Sequence, residues 1–495
     1  MKRLVDVGFI IALMAFIIVG TPLATFHGDE SMQIHMSRDY WTALIFNLRD
    51  RLPVEPPYPI DSDAQLRILN GSVNRYLIGL AWHAAGYTEA DLPPPPGWDW
   101  GLVYADNVNT GHRPTDTQLW IARLPSALLF ALSVPLMFAL GALLGGWLHG
   151  RRTAWIAAAL YALNPVLLLH GRRATQEGAL LFFGLLCLWI AATITARPAP
   201  APLRKEGKND AERLPLSGTE RGRAVEVWLW LALAGAGGLA LASKHSAVVF
   251  VVGAWAWVFV GNVMERNLTP RPPLHFVERG RKIWRVIYVG STLMVVAALT
   301  FALFVALSPA FWRDPAARLG DLLAERAHVL VIQVAISGGV PLSVPERIAF
   351  IVREPFRAPP MHFELASWRD VTPIHDEITR YMASPLSGVQ TDNLIGVVLT
   401  LCAAVGVLTS IHYLRPRHWR FPRLARIFHG EAEEHRRRAS AGLLVWSAVA
   451  AGSLLANPLA WQRYALPWLP AAVLLAAVGL NAVVTWLEKG NHVKS

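Results

Sequence analysis

The chain has 495 residues, 54% of them hydrophobic and 16% charged, with a mean hydropathy of +0.35. A soluble protein of this length would carry more charge and divide into several domains; instead, apolar runs of about 18 residues or more, each long enough to cross a bilayer as a helix, recur along it. The net charge of +11 could by itself suggest a nucleic-acid partner, but its distribution points away from one.

The first apolar run, 4–24, follows Lys2 and Arg3. It is long for a signal-peptide core of roughly 7–15 residues, and no small-x-small cleavage site follows it. It is read as an uncleaved first span. It leads into Thr25-Phe26-His27-Gly28-Asp29-Glu30, which puts two adjacent carboxylates where the helix meets water. In the stretch Ser31 to Leu48, Met32, Met36, Tyr40, Leu44 and Leu48 share one helical face. A second face comes from Leu69, Val73, Tyr76, Leu77, Leu80 and Ala84. Both predict amphipathic helices lying along the membrane surface. Pro93 to Pro96 and Gly97 break the pattern.

Further spans are predicted at 119–143, 153–170, 176–195, 226–243, 247–263, 286–308, 392–414, 439–456 and 465–486, making ten. Cys187 and Cys402 fall inside spans and show neither disulfide nor zinc spacing. With the N-terminus inside, the inner segments are 1–3, 145–153, 197–225, 264–285, 415–438 and 487–495. They hold 27 of the 46 Lys and Arg. That is the positive-inside pattern, and it also offers contact with anionic inner-leaflet lipid. It predicts a multi-pass protein of a plasma membrane, such as a bacterial inner membrane, with both termini cytoplasmic. Segment 197–225, rich in Pro, Gly and charge, is expected to be mobile.

Two outer segments are long, Phe26 to about Gln118 and Ser308 to about Thr391. Within the second, His328 to Val340 is apolar but too short to cross, and Gly338-Gly339 and Pro341 end it. It is read as an interfacial or re-entrant helix. Pro345 to Pro355 reads as a short amphipathic helix, and the rest of the segment shows no clear fold. The chain thus divides into a membrane core at 1–315 that includes the loop 26–118, an outer loop at 316–391, and C-terminal spans at 392–495.

Polar residues gather at the outer ends of the spans: Asp29 and Glu30; Arg172, Arg173 and Glu177; Lys244 and His245; Trp312, Arg313 and Asp314; Gln462, Arg463 and Tyr464. Carboxylates and fixed cations at one interface suit an anionic lipid head group and an acceptor. They fit glycosyl transfer from a polyprenyl-phosphate sugar. Arg and Lys would stabilise the departing phosphate, Arg as a bidentate fork, and a carboxylate would take the acceptor's hydroxyl proton. A single displacement would invert the anomeric centre. Asp29 and Glu30 also offer hard oxygens to a divalent cation. Each residue has a plainer reading. Asp29 could cap the helix at Glu30, Glu30 could serve the helix dipole, and Arg172, Arg173, Arg463 and Tyr464 could be interfacial anchors. Glu177 at the start of a span is costly and therefore more telling. Asn70-Gly71-Ser72 matches a glycosylation triplet of the kind that arises often by chance.

Several segments resemble the GT-C superfamily of lipid-carrier-dependent glycosyltransferases, in particular the protein O-mannosyltransferase and aminoarabinose-transferase type. They are Phe26 to Glu30, Ala122 to Ala127, Asn164-Pro165 through Glu177, Ala242 to Ser246, Ser308 to Pro315 and Gln462 to Pro467. The resemblance implies an all-α polytopic bundle of about ten transmembrane helices, with surface helices in the first outer loop. It implies Asp29 as base, Glu30 and Glu177 in support of it or of a metal, and Arg172, Arg173, Lys244, Arg463 and Tyr464 around the donor phosphate. The acceptor could be a lipid, a polysaccharide or a protein. Two departures stand out: Glu177 where many relatives carry Asp, and Ser308 where Asn is usual. A transporter or flippase for a lipid-linked glycan is the alternative, but it would place charges at mid-membrane, where these spans are clean. A non-catalytic assembly factor would be expected to lack the carboxylates.

Overall fold

The computed structural model describes residues 2–196, 218–263, 275–390, 393–415 and 431–492. Most of segment 197–225, expected to be mobile, and parts of the basic segments 264–285 and 415–438 lie outside the described residues. Among the described residues nine helices are long and apolar enough to cross a membrane. A bent pair, Gly150–Ala162 with Pro165–Arg172, meets at 59° and passes the same test of length and apolarity when its two halves are taken together. This is the short third span read from the sequence. Its bend has a local cause: Asn164 starts a new helix, accepting from the N–H groups of Val166 and Leu167 at 3.0 Å each, and Pro165 occupies the first helical position.

The spans pack around one apolar core that includes Ile17, Phe130, Tyr161, Leu185, Phe250, Trp257, Trp446 and Leu474. The second span enters its helix through a capping box, with Thr115 and Gln118 satisfying each other's backbone N–H groups. It breaks at Gly146, where φ is +66°. The two ends of the bundle differ in chemistry. At one, Asp6 pairs with Arg151, and Glu488 with Arg152. The opposite end carries Asp29, Glu177, Lys244 and Arg463.

That opposite end is covered by a cap built from both long loops. Helix Gly28–Met36 and the helical turns that follow it, Arg38–Tyr40 and Trp41–Ile45, pack against helix Ser72–Ala84 and bury Ile34, Tyr40, Trp41, Ile78 and Trp82. The two surface helices expected in the first outer loop are present, and much of each apolar face is covered by the cap itself. Met36 and Tyr40 are buried inside the cap, and only Leu44, Ile45 and Phe46 emerge. The second helix does keep an apolar outer side at Leu80, while Asn74, Arg75, Ile78 and Trp82 face inward.

The part of the stretch His328 to Val340 that runs from His328 to Ile336 closes a longer helix, Pro315–Ile336, capped by Asp314, whose carboxylate accepts from the Ala317 N–H at 3.0 Å. This helix lies on helix Asp63–Leu69 and is pinned by polar bonds, Tyr58 to Asp321 at 2.8 Å and Gln65 to Glu325 at 3.1 Å. It is a cap element rather than a re-entrant one. Pro345 to Pro355 does form a helix, Val344–Arg353, with a Ser343–Glu346 capping box. The remainder, which showed no pattern in sequence, contains helix Thr372–Ala383 and the stretch Met361 to Glu364, whose Glu364 carboxylate meets His27.

Candidate functional site

The first span ends at Val19. A short 3-10 turn and an extended run, Ala24 to His27, then carry the chain into helix Gly28–Met36. His27 caps that helix. Its Nδ1 accepts the Asp29 N–H at 3.1 Å, and Glu30 Oε1 accepts the His27 N–H at 3.1 Å. The cap sends the two adjacent carboxylates in different directions.

Glu30 turns inward and is completely buried. Arg123 forks onto it, Nε and Nη2 each at 2.7 Å from its two oxygens. The Ala174 N–H adds a bond at 2.8 Å. Burial pushes this carboxyl's pKa up, but the charge and hydrogen bonds of Arg123 outweigh that and hold it below 4.5. With its oxygens engaged by Arg123, Ala174 and His27, Glu30 ties the first loop to the second and fourth spans. Among the described residues no group of three or more His, Cys, Asp or Glu is arranged to hold a metal ion. Asp29 pairs instead with Arg463, so of the two carboxylates considered from sequence for a cation, Asp29 is the one that keeps part of its surface open.

Asp29 turns outward and keeps 26% of its side-chain surface open. Its Oδ2 pairs with Arg463 Nη1. Arg463 lies over the Trp461 ring, 5.0 Å from its centroid, and its Nε is 3.0 Å from Glu364 Oε1. Burial lowers the Arg463 pKa, yet Glu364 and Asp29 together hold it above the ordinary arginine value. Glu364 Oε2 in turn lies 3.0 Å from His27 Nε2. Because His27 Nδ1 accepts a backbone N–H, the ring proton sits on Nε2 and is donated to Glu364. Asp29, Arg463, Glu364 and His27 therefore close a ring of contacts drawn from chain positions far apart. Aromatic side chains wall it: Phe363 stacks on His27 at 4.6 Å, and Trp100 meets His27 edge-on at 5.9 Å, with Trp368 against Trp100.

Beside this ring lies a second pair. Lys244 Nζ is 2.5 Å from Glu177 Oε1. Lys244 sits in extended backbone at the break between helices Gly218–Ser243 and Val248–Val263, so its ammonium reaches the mouth instead of lying along a span. Gly71 makes this approach close: a Cβ there would fall 2.2 Å from the Ser243 carbonyl oxygen. The other Glu177 oxygen, Oε2, is buried and has no hydrogen-bond partner among the described residues. Glu177 is near enough for its charge to act on Arg463.

The remaining predicted residues lie elsewhere in this network. Arg172 is fully buried, its guanidinium donating to the carbonyls of Phe16 at 2.7 Å, Ile17 at 2.9 Å and Leu386 at 2.5 Å. It closes the open C-terminal carbonyls of the first span, which is the position a cation favours. Arg173 donates to the Thr25 carbonyl at 3.1 Å, the Thr25 hydroxyl at 2.9 Å and the His362 carbonyl at 2.8 Å. In this structure both guanidiniums are taken up by carbonyls and hydroxyls of the first span, its exit and the segment from His362 to Leu386. The Tyr464 hydroxyl donates to Gln333 at 2.8 Å. His245 packs edge-on to Phe304 and Phe311. Asn70 is bound to Leu66, Gln33 and Gln176, so its amide is not a free sugar-acceptor site.

Sequence reasoning missed Glu364 and the role of Arg123. Arg123 stood in a recognised segment with no partner in view. Glu364 lies in a loop with no periodicity, and nothing local marks it. The boundaries drawn at 315 and 391 do not isolate the site, because Asp29, Glu364 and Arg463 come from all three divisions.

No family model and no curated protein matches the chain. Among solved structures it is similar to ArnT from Cupriavidus metallidurans bound to undecaprenyl phosphate, at 13% identity and a TM-score of 0.46, covering 96% of this chain and 60% of that one. It is also similar to the Archaeoglobus fulgidus oligosaccharyltransferase in the apo form, at 12% identity and a TM-score of 0.48, covering 98% of this chain and 52% of that one. The same enzyme tethered to an acceptor peptide with the NVT sequon gives 12% identity and a TM-score of 0.47, covering 97% and 50%. The chain spans about half to three-fifths of the length of these structures.

Proposed function

We propose that this multi-pass membrane protein is a glycosyltransferase that moves a sugar from a polyprenyl-phosphate donor to an acceptor hydroxyl at the outer face of the membrane. The observation that carries the reading is the Asp29–Arg463 pair. A partly open carboxylate at the end of a span shares a mouth with an arginine, and the Glu177–Lys244 pair lies beside it. The acceptor oxygen attacks the anomeric carbon as its proton passes to Asp29. The bond from that carbon to the phosphate oxygen breaks, and the electron pair leaves with the polyprenyl phosphate. Arg463 and Lys244 stabilise the charge that develops there, where preorganised cations contribute most. In-line attack inverts the anomeric centre.

Glu30 supports this chemistry by fixing the helix that presents Asp29. Glu177 supports it by holding the Lys244 ammonium at the mouth. The bundle end carrying Asp29 is assigned to the outer face, because the basic segments gather at the other.

The test is to incubate the purified protein with labelled polyprenyl-phosphate sugars and membrane extract, then separate lipid, polysaccharide and protein. Label entering one fraction, lost in Asp29→Asn, supports the reading and identifies the acceptor class. A folded wild-type protein that transfers label from no donor overturns it.

A further inference from the structure

We propose that Glu364 is a positioning residue that retains Arg463 in the mouth while the donor phosphate displaces Asp29 from it. The inference rests on the glycosyltransferase reading and adds a step to it. In the structure one Asp29 oxygen, Oδ2, is paired with Arg463 Nη1, and a positive charge in that position makes a carboxylate a weaker base until the pair is released. The donor phosphodiester, one negative charge over two non-bridging oxygens, competes for the same guanidinium, and the charge that grows on it as the bond to the sugar breaks strengthens that contact. If Asp29 alone held Arg463, the arrival of phosphate would leave the arginine free to swing out on its long side chain.

Glu364 prevents that. Its Oε1 faces a different part of the guanidinium, Nε at 3.0 Å, so both contacts coexist. Its Oε2 is tied to His27 Nε2 at 3.0 Å, and His27 caps the helix that bears Asp29. One carboxylate thus holds the arginine by an ion pair and the frame of the base by a hydrogen bond, and neither contact uses the Nη1 edge that the phosphate takes. Only 10% of the Glu364 side-chain surface is open, so solvent screens these contacts weakly. Burial raises the Glu364 pKa, but Arg463 and His27 hold it well below 4.5, and the carboxylate stays charged through the physiological range. The Trp461 ring supports the guanidinium from one face.

The experiment measures polyprenyl-phosphate binding and transfer kinetics in detergent for Glu364→Gln, Glu364→Asp, Arg463→Lys and the double variant Glu364→Gln/Arg463→Lys. Lysine keeps a charge but places none at the guanidinium Nε position that lies against Glu364. Glu364→Gln is expected to raise donor KM and binding Kd roughly 10-fold or more, the scale of a lost charged contact, with a smaller change in acceptor KM. Glu364→Asp is expected to recover part of the loss. The double variant should bind donor no worse than Arg463→Lys alone, because the two residues act as one unit.

Donor affinity unchanged in folded Glu364→Gln, or strictly additive losses in the double variant, would overturn the inference while leaving the glycosyltransferase reading standing. Wild-type protein that binds no polyprenyl phosphate would overturn both. Should Glu364→Gln fail to fold, the comparison of Glu364→Asp with Arg463→Lys carries the same test.

Discussion

Asp29 and Glu30 are neighbours in the chain and opposites in the fold. Glu30 is buried, with its oxygens filled by Arg123 and backbone N–H groups. Asp29 is partly open and shares one arginine with another carboxylate. The two acids have the same chemistry and nearly the same chain position, so their difference comes from where the helix cap aims them. A carboxylate with every lone pair satisfied in the interior is a strut. A carboxylate at a solvent edge, held by a contact that a ligand can replace, is available for chemistry.

The strongest test of that contrast is to exchange the charge at each position in turn. Asp29→Asn is expected to reduce transfer about 10²–10⁴-fold, the range of a lost general base, with the thermal unfolding temperature close to wild type. Transfer at the wild-type rate would remove Asp29 from the role of base. Glu30→Ala should do the reverse and destabilise the fold by about 3–5 kcal/mol, because it leaves the Arg123 charge buried and unpaired. Denaturation in detergent, followed by tryptophan fluorescence, would show whether Glu30 is instead dispensable for folding.

The Lys244–Glu177 pair is expected to fall between these extremes. Lys244→Ala should weaken donor binding by roughly 1.5–3 kcal/mol if the ammonium contacts the phosphate. Unchanged donor affinity would place Lys244 with the struts.

Acid should separate struts from solvent-edge groups more gently. Glu30 and Glu364 are held below 4.5, so their contribution to stability is complete above that pH and is lost as pH falls through the lower folded values. His362 acts earlier on the way down. Burial and the Arg173 charge push it down to about 3 from 6.5, so it stays neutral in the fold while it would protonate in the unfolded chain. Stability should therefore begin to fall below pH 6.5, and His362→Gln should flatten the profile between 6.5 and about 3 in a pH series of melting curves. The smallest effect is expected at the rim. Arg313 and Glu55 pair at 3.0 Å with 60% of each side chain open, and Arg313→Ala should cost about 0–1 kcal/mol.

Much of the fold was legible from the residues alone, and for a definite reason. Burial in lipid demands long apolar runs, and a run of that length leaves an unmistakable local record. The ten expected spans correspond to nine helices and one bent pair among the described residues. Even the weakest of them, 153–170, carried its bend as an Asn-Pro pair. The cap was harder to read. Its helices bury Tyr40, Trp41 and Trp82 against each other, and an apolar stripe looks the same whether protein or membrane covers it.

At the site, the sequence by itself determined which charged residues stand at span ends, and on which end of the bundle. Asp29, Glu177, Lys244 and Arg463 were all named on that ground, because a charge at the edge of an apolar run is conspicuous. Only the tertiary structure decided which of those charges face one another. It turned Arg172 and Arg173 onto carbonyls, since open helix ends and turns buried from water require donors. It also joined Glu364 to Asp29 across hundreds of residues, through Arg463 and His27. An ion pair in the interior is a relation between two distant points of the chain, and neither partner carries the address of the other.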